Sequence, residues 1–210
     1  MFEEVPALTV LPFFNIKTDV FFAKKAIDVT GKKYLLTSSA PFLAEEKFCE
    51  AYMGYNHHAL YFHFRVDKPF EEANSTDFRK GDSIEIFIDT RDIKDKTVIS
   101  QFCHHFVFFA EAVNGVLGKE VTRFRTEEVH PLCSPKDLKV NAHFAKKSYV
   151  LDIEIKSSSL FGYDPSSFER MGFTYRINRK GGEPQHFAIS SSEYKIELQP
   201  SLWSSLVFCK

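Results

Sequence analysis

Glu85, Phe87, Arg176 and Asn178 belong to one set of residues that could hold a polar ligand, because a carboxylate and a forked guanidinium fix hydroxyl or carboxylate groups in set directions. Each falls on the outward side of an alternating segment. His63 and Arg65 do the same in Ala59–Asp67, and Asn141 and His143 join them if 138–144 is a strand. Gathered on one sheet face, these side chains would recognise a small polyhydroxylated ligand. The same set also reads as a solvated face with cross-strand charge pairs.

A second chemistry sits in Gln101-Phe102-Cys103-His104-His105-Phe106. Alternation puts Cys103 and His105 on one face and His104 on the other. A thiolate and an imidazole, with His63 as third ligand, would make a zinc site or a small metal-dependent enzyme. Strong zinc signatures repeat a ligand pair at short spacing and this one has a single pair, so a structural imidazole beside a buried thiol is the plainer reading. Asp67, Asp82, Asp89 and Asp92 fall near strand ends and offer oxygen ligands for calcium, without the compact acidic loop of an EF-hand. His57 and His58 lie in a turn. The sequence contains no G-x-S-x-G elbow, P-loop, G-x-G-x-x-G or H-E-x-x-H motif. Glu85 with Asp152 or Glu154 is a nominal glycosidase pair, but any β-sandwich offers such pairs.

The elements that carry these residues are strands. Twenty-three Phe and eight Tyr against three Met favour a pleated, half-buried surface. Leu60, Phe62, Phe64 and Val66 alternate with polar partners, as do Ile84, Ile86 and Ile88, then Leu151, Ile153 and Ile155, then Phe173, Tyr175 and Ile177. These predict strands over Ala59–Asp67, Ser83–Asp89, Tyr149–Ile155 and Met171–Arg179. Further strands are predicted over Phe48–Tyr55, His104–Ala110, Gly118–Phe124 and Leu138–Phe144, with helical turns at Ser157–Phe161 and Pro200–Ser204. Eight or more strands without a long 3.6-residue period predict an all-β fold, an antiparallel β-sandwich of jelly-roll kind. No Pro/Gly/Ser-rich linker divides residues 1–210, which are read as one domain. Residues 1–45 form an extension that adds an edge strand and packs on the sandwich.

The chain has 210 residues, 44% hydrophobic and 26% charged, enough apolar content for a sizeable core. With 27 basic and 28 acidic side chains it has no positive field to hold a polyphosphate, which argues against nucleic acid as a partner. No stretch is apolar enough for a membrane helix. Met1–Asn15 carries Glu3 and Glu4 where a secretory signal has basic residues, and Cys49, Cys103, Cys133 and Cys209 are scattered. The expected setting is therefore cytoplasmic, with free thiols.

From about Glu50 to Phe208 the order of segments resembles the family 9 carbohydrate-binding modules and the wider DOMON-like sandwiches. Leu60-Tyr61 through Val66-x-Asp67, Asp82-Ser83-Ile84-Glu85-Ile86-Phe87-Ile88-Asp89, Tyr149–Ile155, Gly172–Asn178 and Gln199-Pro200-x-x-Trp203-x-x-Leu206 carry the likeness. The resemblance implies non-catalytic binding of a carbohydrate or another small polar ligand, and a structural calcium ion. Such modules hold a glycan end between two Trp rings; here Arg79, beside Phe78, and Glu197, near Tyr194, stand at those positions. Glu85 matches a hydroxyl-binding Glu, Arg176 a Gln position, and His104 or His105 an Arg position. The ligand set implied is Phe78, Arg79, Glu85, His105, Arg176 and Tyr194, with Arg65 and His63 beside them. A module that kept the sandwich, lost the sugar site and binds a protein partner is the rival reading. Some DOMON relatives bind haem, for which His63, His104 and His105 are the axial candidates.

Overall fold

The computed structural model describes residues 16–74 and 76–209, so Met1–Asn15 lies outside the described residues. Eleven strands appear, with short 3-10 turns and no α-helix among the described residues. They are β1 (Lys17–Phe22), β2 (Cys49–Tyr55), β3 (Ala59–Val66), β4 (Ser83–Asp89), β5 (Cys103–Val113) and β6 (Val116–Glu120). Then come β7 (Leu138–Phe144), β8 (Tyr149–Lys156), β9 (Arg170–Asn178), β10 (Gln185–His186) and β11 (Ser204–Cys209). The eight expected strands form, but the one predicted over Gly118–Phe124 ends at Glu120, and the segment beyond is irregular.

The strands make one sheet in the order β6-β5-β4-β9-β11-β1-β2-β3-β8-β7, with β10 beside β9. It curls until its two end strands meet again: a Cβ built on Gly118 of β6 would lie 3.6 Å from the Cβ of Leu138 in β7. The result is nearly a barrel, and its two halves face each other as the layers of a sandwich do. Pairing is antiparallel except at β1, which runs parallel to both β11 and β2. The sheet is therefore mixed, and β1 is an interior strand rather than the edge strand expected.

Alternation along each strand sends one set of side chains inward. Phe62 of β3 stacks on Phe173 of β9 at 5.9 Å, and Phe64 meets Tyr175 edge-on at 5.7 Å. These rings are fully buried and join the two halves. The residues after β1 fold as two 3-10 turns over the outer side of β2 and β3, where Ala23 and Val29 pack with Ala59 and Tyr61. Gly54 lets them approach: a Cβ there would lie 2.8 Å from both Ala23 Cβ and Val29 Cγ2. Gly54→Ala is accordingly expected to destabilise the protein by about 1–3 kcal/mol through overpacking. Urea unfolding measures this, and a shift within error would mean that the 23–34 segment does not press on β2.

Candidate functional site

The outer side of β4 is covered. All seven of its residues are buried, so Glu85 and Phe87, which alternation assigns to the solvent side, lie beneath a second layer. That layer is the segment between β10 and β11. Its Trp203 lies 5.7 Å from Phe87, donates its indole N–H to the Ile196 carbonyl at 2.8 Å, and packs with Ile189, Ile196 and Leu202 in the main core cluster.

Under this cover the register gathers polar side chains from three strands. Glu85 sits opposite Arg176, and Phe87 opposite His105. Glu85 Oε1 accepts from Arg176 Nε at 2.7 Å and Asn178 Nδ2 at 2.8 Å, while Oε2 accepts from Arg176 Nη2 and His105 Nε2, both at 2.8 Å. Four donors fill the carboxylate's lone-pair sites. Glu85 is 0% exposed. Burial opposes its charge, yet the bonds from His105 and Arg176 hold its carboxyl well below the usual carboxylate range. Burial likewise pushes the His105 imidazole down, so the neutral ring donates Nε2–H and stacks on Phe87 at 4.2 Å.

Arg79 and Glu197, at the positions of the resembled family's two Trp rings, are joined by an ion pair of 3.1 Å. Phe78 packs edge-on against His105 at 6.2 Å, with the Arg79 guanidinium over its other side. Five of the eight expected ligand residues, Phe78, Arg79, Glu85, His105 and Arg176, are therefore in linked contacts, while Tyr194 lies on the covering segment that carries Glu197. His63 and Arg65 are elsewhere. They point outward from β3, on the half of the sheet that faces β9 only through its inward rings, and pair with Asp152 at 2.7 Å and Glu50 at 3.0 Å. Alternation gave their side correctly but could not say on which half β3 would lie.

A groove of about 530 Å³ opens beside the covering segment, with Leu198 and Leu202 in its lining. Tyr194, Thr97, Arg125, Lys195, Gln199 and Ser201 line it. Gln199 Oε1 is buried there without a hydrogen-bond partner among the described residues. An aromatic ring with convergent donors and acceptors is the chemistry of a small polar ligand site.

The proposed Cys103, His105 and His63 metal set is not brought together. His105 is spent on Glu85, His63 is on the other half, and the Cys103 thiol, 3.6 Å from Ser100 Oγ, is pushed up to about 12 by burial. Nor do the four aspartates converge. Asp67 pairs with Arg65, and Asp82 accepts from the Glu71, Glu72 and Lys180 backbone N–H groups. Asp89 accepts from the Arg91 and Ile93 backbone N–H groups, while Asp92 meets Lys94 at 2.6 Å, Arg170 at 3.1 Å and Ser205 at 2.7 Å. Lys94's ammonium also donates to the Trp203 carbonyl, which puts a side-chain cation where oxygens gather.

A different cluster, which sequence reasoning missed, lies on the inward side of β5. Glu120 Oε1 is 2.9 Å from both His104 Nδ1 and His130 Nε2, and all three side chains are at most 2% exposed. Burial opposes charge on Glu120, but the two imidazoles hold it well below the usual range; burial lowers His104. His130 stands on an irregular loop, so no periodicity pointed to it. His186 forms another knot, between Glu45 Oε1 at 2.6 Å and Ser191 Oγ at 2.8 Å. Acid, imidazole and hydroxyl come in the order of a nucleophile triad, but the Ser191 N–H also reaches His186 Nε2, at 3.2 Å, as in a clasp that closes a turn.

With the geometry in place, comparison with known proteins gives the family. Residues 25–207 match the model of the Carbohydrate family 9 binding domain-like family, and the chain belongs to that family. Two solved structures of a family 9 carbohydrate-binding module from Caldicellulosiruptor kristjanssonii, one in complex with cellotriose and one with glucose, share the fold. Each is 14% identical with a TM-score of 0.65, and the match covers 92% of this chain and 93% and 96% of theirs. No curated protein matches the chain.

Two consequences are measurable. Glu85→Gln strands a buried guanidinium and is expected to cost about 3–5 kcal/mol of stability. Because His105 is lowered in the folded state, the unfolded chain binds more protons below its ordinary 6.5, so its contribution is present at neutral pH and lost as pH falls through that value. Glu85, also lowered, loses its contribution only below its ordinary 4.5. His105→Gln should flatten the stability profile just below pH 6.5 by up to about 1.4 kcal/mol per pH unit, read from urea midpoints across pH. An unchanged slope would mean that His105 is protonated in the fold.

Proposed function

We propose that the protein is a non-catalytic carbohydrate-binding domain that takes up its sugar in the groove beside Tyr194. The observation that carries this placement is the saturation of Glu85: with four donors already on its carboxylate, it has no acceptor site left for a sugar hydroxyl. The groove offers what that network lacks. Tyr194 supplies a ring for the C–H face of a pyranose, and Arg125 and Lys195 supply donors for hydroxyl or carboxylate oxygens. Family membership supports a sugar as the ligand, as do the fold relatives bound to cellotriose and glucose. Those relatives make glucose and short β-glucans the first ligands to try.

A second placement is favoured by the Arg79–Glu197 pair. Both side chains are partly exposed, at 43% and 22%, and they span the family's clamp positions. A sugar that parted them would reach Phe78, His105, Glu85 and Arg176. Calorimetric titration with glucose, cellotriose and an acidic oligosaccharide separates the placements. Groove binding predicts that Tyr194→Ala and Arg125→Ala each weaken affinity about 10-fold, equivalent to about 1.4 kcal/mol, while Arg79→Ala leaves it unchanged. Loss of binding in Arg79→Ala with Tyr194→Ala unaffected would assign the inner site. Wild-type protein that gives neither heat nor a raised melting temperature with any sugar at millimolar concentration would overturn both and leave a protein partner as the reading.

A further inference from the structure

We propose that His104, Glu120 and His130 form a buried site for one divalent transition-metal ion, zinc or a close neighbour, that pins the loop after β6 to the sheet. The donor geometry points to it. His130 Nδ1 lies 2.6 Å from the Gln101 carbonyl oxygen, which can only accept, so Nδ1 carries a proton. In a neutral ring Nε2 is then a bare lone pair, and it faces Glu120 Oε1 at 2.9 Å. His104 Nδ1 faces the same oxygen at 2.9 Å. If Nδ1 holds the proton there, His104 Nε2 is a buried lone pair on the side of the Phe161 carbonyl, acceptor facing acceptor, and it makes no hydrogen bond. Two cationic rings against one carboxylate would satisfy these contacts only by burying a net positive charge.

A divalent cation resolves both. It accepts lone pairs from His104 Nδ1, His130 Nε2 and Glu120 Oε1, whose ligand atoms all lie within 4.8 Å of one another. The outer nitrogens then carry the protons: His130 Nδ1–H donates to Gln101, and His104 Nε2–H is turned to the side of the Phe161 carbonyl. Metal-bound imidazoles are oriented in this way, by donating their other N–H to a carbonyl. Thr122 Oγ1 donates to Glu120 Oε1 at 2.8 Å and the Cys133 N–H to Oε2 at 2.8 Å, which fixes the carboxylate and leaves Oε1 one lone pair for the ion. Two imidazoles and one carboxylate suit zinc, cobalt or nickel and are poor ligands for calcium or magnesium. Tetrahedral bonds of about 2.0–2.1 Å set ligand atoms about 3.3 Å apart, a few tenths of an ångström beyond the 2.9 Å that separates each imidazole nitrogen from Glu120 Oε1.

The cluster sits where such an ion would matter. It joins β5, the end of β6 and the loop of residues 121–134, which has no regular structure of its own and carries Arg125 to the groove. The deciding measurement is a titration of chelator-stripped wild-type protein with cobalt(II), free of any sugar, so its outcome is independent of the ligand reading. Saturation at one equivalent per chain, with intense d–d absorption, displacement by zinc and indifference to calcium, is the expected result. His130→Gln and Glu120→Gln should each weaken cobalt affinity about 100-fold, while His143→Gln, an exposed imidazole on β7, leaves it unchanged. Wild-type protein that binds no cobalt or zinc at micromolar concentration overturns the proposal, whether or not the variants fold. So does one-equivalent uptake that persists in folded His130→Gln.

Discussion

A sheet strand buried on both faces cannot leave any polar side chain to water, and β4 is such a strand. Glu85 points away from the aromatic core yet finds no solvent, because the segment closed by Trp203 lies over it. Its charge is tolerable only with every lone pair occupied, so Arg176, Asn178 and His105 must come from neighbouring strands at matching register. That requirement fixes how β4, β5 and β9 line up. It also fixes what the cover must be, since Phe87 and His105 present a stacked aromatic surface that only an apolar roof can close.

Two other buried carboxylates repeat the device. Asp92 ties the turn after β4 to β9 through Arg170 and to β11 through Ser205. Glu120 ties the end of β6 to the loop of His130 and Cys133. Each carboxylate holds an irregular segment against the sheet where apolar packing alone would leave its path undefined. Buried ion pairs add little net stability against an apolar alternative, but losing one partner is costly, and that asymmetry makes them markers of register. On β5 two adjacent histidines serve opposite sides: His105 belongs to the Glu85 knot and His104 to the Glu120 knot.

The strands were legible because Phe, Ile and Leu alternate with polar residues over whole segments, and β4 runs from Ser83 to Asp89 as its pattern says. What alternation gives is a side, not an environment. Glu85 and Arg176 were readable as neighbours in chemistry, yet the cover that buries them comes from residues 187–203, whose pattern resembles no strand. His63 and Arg65 were placed with them because periodicity does not say which half of a curled sheet a strand joins. The His130 partner of His104 was invisible for a related reason: it reaches the cluster through a loop, and loops have no period. β11, directly after the turn at Pro200–Leu202, was missed as a strand because Ser-Ser-Leu-Val-Phe-Cys does not alternate apolar with polar.

The slot occupied by β1 bears on how the chain reaches its fold. Its register with β2 is only two residue pairs, Phe21 with Gly54 and Phe22 with Tyr55, while five pairs join it to β11, nearly two hundred residues along the chain. During synthesis β1 and β9 therefore emerge with open hydrogen-bonding edges that nothing earlier in the chain can cover. Both edges are capped in a single event, when Ser204–Cys209 leaves the ribosome and slides between them. The last strand is thus a keystone, and a nascent chain stopped short of it would expose two sticky edges at once.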